Sequence, residues 1–176
     1  VIWVNVQSLL TGVIFVLIAL FEHLYSVQYK TKVIILNIPW IEFNNVLIEW
    51  TFLIDSVSLL MASLILIITS LVEIYSIDYM KDDINQGKFF MLLSFFAFFM
   101  LIFVTSGNAL LVFIVWEDIS VISFLLINFW QTRLEANRAG LKAILFNKVG
   151  DIGFYIFLVL LFYFFNTLDI IVIKEL

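Results

Sequence analysis

Five long apolar segments, separated by short polar stretches, dominate the pattern of hydrophobic and polar positions along the chain. They cover residues 1–24, 52–77, 89–106, 108–130 and 141–165. A transmembrane helix needs about 17–25 residues at about 1.5 Å of rise each, and all five segments satisfy this requirement. We therefore predict an all-α polytopic membrane protein with about five transmembrane helices. A stack of core helices in a large soluble protein is disfavoured, because so many successive runs of spanning length are difficult to bury otherwise.

A different pattern separates the first two apolar segments. In residues 33–54, β-branched and aromatic residues alternate with polar ones, and Asn44-Asn45 stands where a turn would fall. Alternation with a period of two is typical of strands, and turn residues between two such runs indicate a hairpin. We predict a short β-hairpin at the membrane surface, with strands near residues 33–38 and 46–52.

The pattern divides the chain into four parts. These are a first transmembrane helix (residues 1–24), a surface loop with the hairpin (25–51), a four-helix part (52–165) and a C-terminal tail (166–176). The first segment begins at Val1 without an initiator methionine or a charged leader, so we do not expect a cleaved secretory signal. A processed end, an incompletely represented chain and a natural start are all compatible with this beginning.

Composition indicates a lipid environment and excludes several chemistries. Of the 176 residues, 64% are hydrophobic and only 13% are charged, against about 25% charged residues in soluble domains. Cysteine is absent, which excludes disulfides, thiolate metal sites and cysteine-ligated iron–sulfur clusters. The single histidine, His23, cannot form a multi-histidine metal or haem site alone. We expect no cofactor or metal in this chain, and the lack of a basic arm gives no reason to expect a nucleic-acid partner.

Basic residues concentrate in two of the connections. Five of the nine lysines and arginines lie in residues 78–88 and 131–142. The positive-inside rule places these loops in the negative compartment, the cytoplasm or the mitochondrial matrix, and the hairpin and tail on the opposite side. Three residues, Lys30, Lys32 and Lys174, oppose this orientation. Arg133, Arg138 and Lys142 could bind an anionic lipid such as cardiolipin, although ordinary topogenic charge also explains them.

Four charged residues lie well inside the last two predicted spans: Glu117, Asp118, Lys148 and Asp151. Glu117 lies about 14 Å from the start of its segment and Asp151 about 15 Å from the start of the next, so both reach the mid-membrane region. Lys148 shares a helix face with Asp151 and can offset its charge. Glu117 has no basic residue within a turn, and Asp118 points about 100° away from it.

Ionisable residues at this depth cost at least about 2.5–3.5 kcal/mol each on insertion scales, and they usually mark ion or proton pathways. We therefore predict proton transfer through a wet cavity, with a structural interhelix hydrogen bond as the alternative. No glycine-rich fingerprint follows a strand, so nothing indicates a nucleotide, a flavin or hydride transfer.

Two acidic residues near span ends, Asp55 and Glu73, are interpreted as loop-anchoring groups. Trp40, Trp50 and Trp130 fit interfacial anchoring.

Spaced motifs give the chain a resemblance to a known family. They are Trp116-Glu117, Ser123 to Ile127, Phe129-Trp130, Arg133, Ala136-Asn137, Lys142-Ala143 and Asn147 to Asp151, with Asp55, Ser58, Glu73 to Met80, Phe89-Phe90 and Asn108 upstream. This set resembles the NADH dehydrogenase subunit 5 family, the distal antiporter-like membrane subunits of respiratory complex I. The resemblance extends over residues 52–165.

The resemblance implies roles for several residues. It implies that Glu117 forms a mid-membrane ion pair with a lysine on a later helix and that its charge state is linked to proton translocation. Asp151 corresponds to an acidic residue beside that pair, at the contact with the neighbouring antiporter-like subunit 4. Lys148 replaces the usual arginine, which keeps the charge but loses the fork of donors. Asp118 and Lys142 are further candidates for the same proton path.

The resemblance also implies a setting: the mitochondrial inner membrane, with other complex I membrane subunits as partners and residues 78–88 and 131–142 on the matrix side. NADH, FMN, iron–sulfur clusters and ubiquinone would be bound elsewhere in the complex, with no redox catalysis in this chain. Competing assignments are a subunit of a related cation/proton antiporter or membrane hydrogenase, and a structural scaffold without transport.

Two departures from the family pattern modify these expectations. Asp118-Ile119-Ser120 stands where Gly-Val-Gly is usual, which changes a helix contact and adds a carboxylate. The family's later spans, including the lysine expected to pair with Glu117, have no counterpart before Leu176. We therefore expect a second polypeptide to carry the remainder of a split mitochondrial subunit. A partial chain and a reduced remnant are the alternatives.

Overall fold

Five long helices and one hairpin make up the computed structural model, which describes residues 2–27, 34–43 and 46–175. The helices are α1 (Ile2–Val27), α2 (Ser56–Tyr79), α3 (Gln86–Thr105), α4 (Ala109–Ile127) and α5 (Leu134–Phe165), followed by the short α6 (Ile170–Glu175). The five long helices have the length and hydropathy needed to cross a membrane, which confirms the predicted spans. Strands β1 (Ile34–Phe43) and β2 (Val46–Ile54) pair between α1 and α2 and confirm the hairpin.

The hairpin strands extend further than the pattern predicts. β1 continues to Phe43 and β2 to Ile54, whereas the alternation suggested ends at residues 38 and 52. The predicted turn at Asn44-Asn45 and residue 33 lie outside the described residues. Across the hairpin, the rings of Trp40 and Trp50 form an edge-to-face contact with centroids 5.3 Å apart. Such aromatic pairs stabilise a sheet through cross-strand packing.

The second span starts at Ser56, four residues later than predicted, because β2 occupies the apolar residues before it. Asp55 is the N-cap: its side chain accepts the Ser58 N–H at 2.7 Å, and the Ser58 hydroxyl accepts the Asp55 N–H at 2.8 Å. This reciprocal capping box satisfies two amide groups that the helix itself leaves unpaired. Asp55, interpreted from the sequence as a loop-anchoring group, therefore starts the helix.

The last span is longer than predicted, because α5 begins at Leu134 rather than at residue 141. Its 32 residues correspond to about 48 Å, which exceeds the roughly 30 Å hydrocarbon core. The predicted basic loop 131–142 is therefore wrong in its second half: Arg138 and Lys142 lie on the first turns of α5. Hydrophobicity alone did not reveal these turns because they are polar, although they contain good helix formers.

The helices and strands are grouped into two units, one containing α1, α2 and α3 and the other containing the hairpin, α4, α5 and α6. In the first unit, α2 presents a stripe of mostly small polar residues as its buried face: Ser58, Ala62, Ser63, Leu66, Thr69, Ser70, Glu73 and Ser76. Small residues let helix backbones approach closely in lipid. The hydroxyls of Ser63 and Thr69 donate to carbonyls of their own helix, at 2.7 and 2.8 Å, so burial leaves them satisfied.

Glu73 lies on this buried face and is not exposed at all. Its Oε1 atom lies within hydrogen-bond distance of the Ser94 hydroxyl oxygen of α3, at 3.1 Å. The prediction that Glu73 anchors a loop is therefore wrong. Its nearness to the end of an apolar run suggested a surface position, but its helix face points towards α3.

In the second unit, residues 106–108 join the hairpin to the C-terminal segment. The Gly107 N–H donates to the Thr51 carbonyl at 2.8 Å, and the Ile170 N–H donates to the Gly107 carbonyl at 3.0 Å. Asn108, only 2% exposed, caps α4 by accepting the Leu110 N–H. The hairpin, this connection and the tail consequently lie together at one end of the unit.

We predict that Gly107→Ala destabilises the second unit. A Cβ atom at this position would lie 2.9 Å from both Leu53 Cγ and Thr51 Oγ1. Relieving that overlap moves a strand held by the Gly107 N–H bond, at a cost of about 1–3 kcal/mol. The measurement is the apparent melting temperature of the chain in its solubilised native assembly. Gly153→Ala is the matched control, since its Cβ would meet nothing within 4 Å; equal melting temperatures for the two variants would contradict the prediction.

We predict that docking of the tail weakens as pH rises. Burial and the neighbouring Glu49 carboxylate raise the pKa of Asp169, while the Asn108 side-chain amide, which donates to Asp169 at 3.0 Å, opposes them. The pKa of Asp169 is higher in the folded protein than in the unfolded chain. Asp169 therefore stabilises the docked tail fully at pH values below the ordinary carboxyl pKa. This stabilisation is lost as the pH rises through the folded-state pKa.

Hydrogen exchange of the Ala109 and Ile170 amides, corrected for intrinsic rates, measures this docking. These amides bond the Leu168 and Gly107 carbonyls across the junction. Asp169→Asn keeps an acceptor oxygen and removes the titration, so protection in this variant should no longer depend on pH. A pH dependence that persists unchanged in the variant would refute the assignment.

Candidate functional site

The candidate site lies where α4 and α5 pack side by side within the second unit. A six-residue connection, residues 128–133, makes the two helices antiparallel neighbours. Gly140 allows a close approach, since a Cβ there would lie 3.2 Å from the Phe124 ring. Glu117 stands near the middle of the 19-residue α4, and Asp151 stands near the middle of the 32-residue α5. Both carboxylates therefore lie near the middle of their helices, and their depth in a membrane stays a prediction.

Lys148 connects the two carboxylates. Its ammonium nitrogen pairs with Glu117 Oε2 across the helix interface and lies 3.3 Å from Asp151 Oδ2, one turn along its own helix. The latter is an ion-pair distance, but the groups are not aligned for a hydrogen bond. The expected offset of Asp151 by Lys148 is thus present. Lys148 also gives Glu117 a cation within this chain, because α5 returns antiparallel and places Lys148 opposite it. The pairing of Glu117 with a lysine on a later helix stays a prediction.

Three further side chains organise the cluster. The Trp116 indole N–H donates to Asp151 Oδ1 at 3.0 Å, and the Asn147 amide donates to the Ser120 hydroxyl at 3.3 Å. Ser120 in turn donates to the Trp116 carbonyl. Ser120 is the residue that replaces a family glycine, and its hydroxyl is satisfied on both sides.

Sequence reasoning did not assign these contacts, although their signal was visible. Trp116 and Ser120 are four residues apart in α4, and Asn147 and Asp151 are four apart in α5, so each pair shares a helix face. Matching the two faces requires the register between the helices. That register depends on the length of the connection and on how closely the helices approach.

Burial differs among the three charged groups. The Asp151 side chain is 7% exposed, Glu117 is 28% exposed and Lys148 is 52% exposed. Two carboxylates therefore share one ammonium group that remains accessible from one side. With both acids ionised the cluster carries an excess negative charge, which is costly in a low-dielectric setting. Binding one proton would balance it.

The remaining predicted site residues lie outside this cluster. Asp118 is half-buried and forms no ion pair within the described part of the chain, and its charge adds to that of Glu117. Lys142 is exposed, six residues before Lys148 on α5. Their participation in a proton path stays a prediction. In residues 2–27, 34–43 and 46–175, no group of three or more His, Cys, Asp or Glu side chains could hold a metal ion.

Comparisons with known proteins find two family models that match the chain. Residues 40–90 match the family "NADH-Ubiquinone oxidoreductase (complex I), chain 5 N-terminus". Residues 106–176, which include the charged cluster, match the family "NADH:quinone oxidoreductase/Mrp antiporter, TM".

Similar curated proteins carry the name NADH-ubiquinone oxidoreductase chain 5. The one from Acanthamoeba castellanii is 40% identical over 162 residues, which is 92% of this chain and 24% of that protein. The one from Rhizopus stolonifer is 48% identical over 130 residues, 74% of this chain and 20% of that protein. The Chondrus crispus protein is 43% identical over 147 residues, with coverages of 84% and 22%. The chain thus spans about a fifth to a quarter of the length of these relatives.

We predict that Trp116→Phe destabilises the α4–α5 pair. The change keeps an aromatic ring but removes the N–H that Asp151 Oδ1 accepts, and losing a hydrogen bond to a charged group costs about 1.5–3 kcal/mol. The apparent melting temperature of the assembled protein measures the loss. Trp3→Phe is the control, because Trp3 is 72% exposed. Equal melting temperatures for Trp116→Phe and Trp3→Phe would show that the hydrogen bond from Trp116 to Asp151 contributes nothing to stability.

Proposed function

Because the chain belongs to the complex I chain 5 family of antiporter-like membrane subunits, we propose that it contributes to proton translocation across its membrane. The observation that supports this most directly is the position of Lys148, which is shared between Glu117 and Asp151 at mid-span. NADH oxidation and ubiquinone reduction, with FMN and the iron–sulfur clusters, take place on other subunits. The charged cluster supplies the coupled proton movement.

The chemistry of the cluster is an exchange of partners by one lysine. When a proton binds Asp151, its charge disappears and the ammonium group pairs with Glu117 alone. When Glu117 accepts the proton instead, Lys148 moves towards Asp151, which is only one helical turn away. Each exchange transfers charge between helices without leaving an isolated ion in lipid, where an uncompensated charge is costly. The exposed side of Lys148 is where water can deliver or remove the proton.

Trp116 gives the two carboxylates different surroundings. Its N–H holds Asp151 Oδ1, while Glu117 has Lys148 as its hydrogen-bond donor. Asp151 therefore retains one donor when the lysine moves away, whereas Glu117 loses its only donor among the contacts within the described helices. This asymmetry favours protonation of Glu117 when the lysine turns to Asp151.

The setting follows from the family. We place the chain in the mitochondrial inner membrane as a multi-pass subunit, with the basic residues of 78–88 and 131–142 on the matrix side. Its partners are other complex I membrane subunits, with antiporter-like subunit 4 as the neighbour on the Asp151 side. Cardiolipin is the lipid that the exposed Arg138 and Lys142 would select.

A second candidate is a cation/proton antiporter subunit. The family description that matches residues 106–176 names Mrp antiporters as well as quinone oxidoreductases, and this region contains the whole charged cluster. Sodium-dependent proton flux without NADH:quinone activity in the purified assembly would favour it. Production or consumption of hydrogen by the purified assembly would indicate a membrane hydrogenase subunit. Unchanged proton pumping in every variant of the charged cluster would indicate a structural scaffold.

We predict that Glu117→Gln and Asp151→Asn lower the number of protons pumped per electron more than they lower assembly. Each change keeps the size of the side chain but removes one of the two acids between which Lys148 alternates. The measurement is the ratio of proton pumping to NADH oxidation in membrane vesicles, with assembly followed on native gels.

Glu135→Gln is the matched control, since the Glu135 side chain is 89% exposed and lies on the first turn of α5. Lys148→Arg retains the positive charge and should keep more coupling than Lys148→Met, which leaves both carboxylates without a cation. If both acid variants assemble and pump the wild-type number of protons per electron, the proposed role of the cluster fails.

A further inference from the structure

A second acidic group is buried in the first unit, away from the residues assigned above. Glu73 lies on α2, six residues before its C-terminal end, or about 9 Å along the axis. Its side chain is fully buried. Within the described residues, its Oε2 atom has no hydrogen-bond partner and the carboxylate forms no ion pair.

Glu73 is one end of a short polar chain that connects all three helices of the unit. The Ser94 hydroxyl of α3 lies 3.1 Å from Glu73 Oε1 and 2.9 Å from the Phe90 carbonyl oxygen. The Asn5 amide of α1 donates to the same hydroxyl oxygen at 3.2 Å. Among the described residues, Ser94 is therefore the link between the buried acid and the rest of the polar chain.

The hydrogen count at Ser94 favours a protonated Glu73. A serine hydroxyl has one proton to donate and can accept two hydrogen bonds. With an ionised carboxylate, Ser94 must choose between Glu73 and the Phe90 carbonyl as its acceptor. With a protonated carboxyl, Glu73 donates to Ser94, Ser94 donates to Phe90, and Asn5 donates to Ser94. All of these contacts are then satisfied with the heavy atoms in the same positions.

No cation on the packed elements is placed to neutralise an ionised Glu73. On α1, the titratable Glu22, His23 and Tyr25 lie at least 17 residues beyond Asn5, about 25 Å along the helix. On α3, Lys88 lies six residues before Ser94, about 9 Å away along the axis and on a different face. The titratable groups on α2 itself are Tyr75, Asp78 and Tyr79, none of which carries positive charge.

The other end of the polar chain reaches a pocket. Asn5 and Ser94 line a partly open pocket of about 860 Å³, together with Trp3, Gly87, Phe90, Met91, Phe95 and Phe98. Its walls are otherwise almost entirely apolar. Water that enters it meets the side chains of Asn5 and Ser94, and Glu73 lies directly behind Ser94.

We propose that Glu73 is a further proton-binding site, which exchanges its proton with this pocket through the Ser94 hydroxyl. The Ser94 hydroxyl first turns from the Phe90 carbonyl towards a water in the pocket. The proton on Glu73 Oε1 then passes to Ser94 Oγ while the original Ser94 hydroxyl proton passes to that water. The reverse step restores the first state, so no bond or charge remains unbalanced. Proton binding at Glu73 requires no transport by the Glu117 cluster and can be tested without it.

Infrared difference spectroscopy of the assembled native complex tests this site. A protonated carboxyl has a carbonyl stretching band that an ionised carboxylate lacks, and the band moves to lower frequency when deuterium replaces the proton. The wild-type spectrum minus that of Glu73→Gln should contain this band, and transfer to D2O should shift it. If the Glu73→Gln complex assembles and the difference spectrum lacks this band, Glu73 is ionised in the wild type, and the proposal is overturned.

Ser94→Ala keeps Glu73 and removes the link, so it tests the exchange route even if the Glu73 variant does not assemble. The deuterium shift should become several-fold slower in Ser94→Ala than in the wild type. Ser63→Ala is the matched control, because Ser63 is a serine of the same unit whose hydroxyl donates to its own helix at Leu60. A band that never shifts in D2O, or shifts equally fast in all three proteins, would show a static structural acid instead.

Discussion

The cost of charge in lipid is the constraint on which the α4–α5 unit depends. One ammonium group, on Lys148, serves carboxylates from two antiparallel helices, and each ionised group left alone would cost at least about 2.5–3.5 kcal/mol. The pairing therefore requires the helices to stay close and in register. Gly140 permits the approach, and the Trp116 indole donates a second contact to Asp151, at Oδ1.

The two units solve the problem of polar groups in lipid differently. In the first, most buried hydroxyls of α2 donate to carbonyls of their own helix and need no partner elsewhere, while Glu73 depends on Ser94. In the second, charged groups are neutralised between helices, and Asn108 satisfies backbone groups where the hairpin meets the tail. Hydroxyls that bond to their own helix let neighbouring helices pack closely on small residues. Charged groups shared between helices instead form a site whose protonation can change.

The departures from the family pattern fit this arrangement. Ser120, where a glycine is usual, is buried with both its donor and its acceptor capacity used. Lys148, where an arginine is usual, is a compact charge on a flexible stem. A lysine can change partner between Glu117 and Asp151 by moving one ammonium group. An arginine would first have to break the paired hydrogen bonds that its planar guanidinium forms. Asp118 has no comparable compensation among the described contacts.

The sequence alone determined the membrane class, the number of spans, the hairpin and the presence of charged residues at mid-span, because length, hydropathy and two-residue alternation are local properties. Its motifs also indicated the family, and the comparisons confirm that family. Only the tertiary structure decided that Lys148 faces Glu117, that Trp116 holds Asp151 and that Glu73 points towards Ser94. These contacts depend on the register and facing of separate helices, which a periodic pattern of hydrophobic residues leaves undetermined.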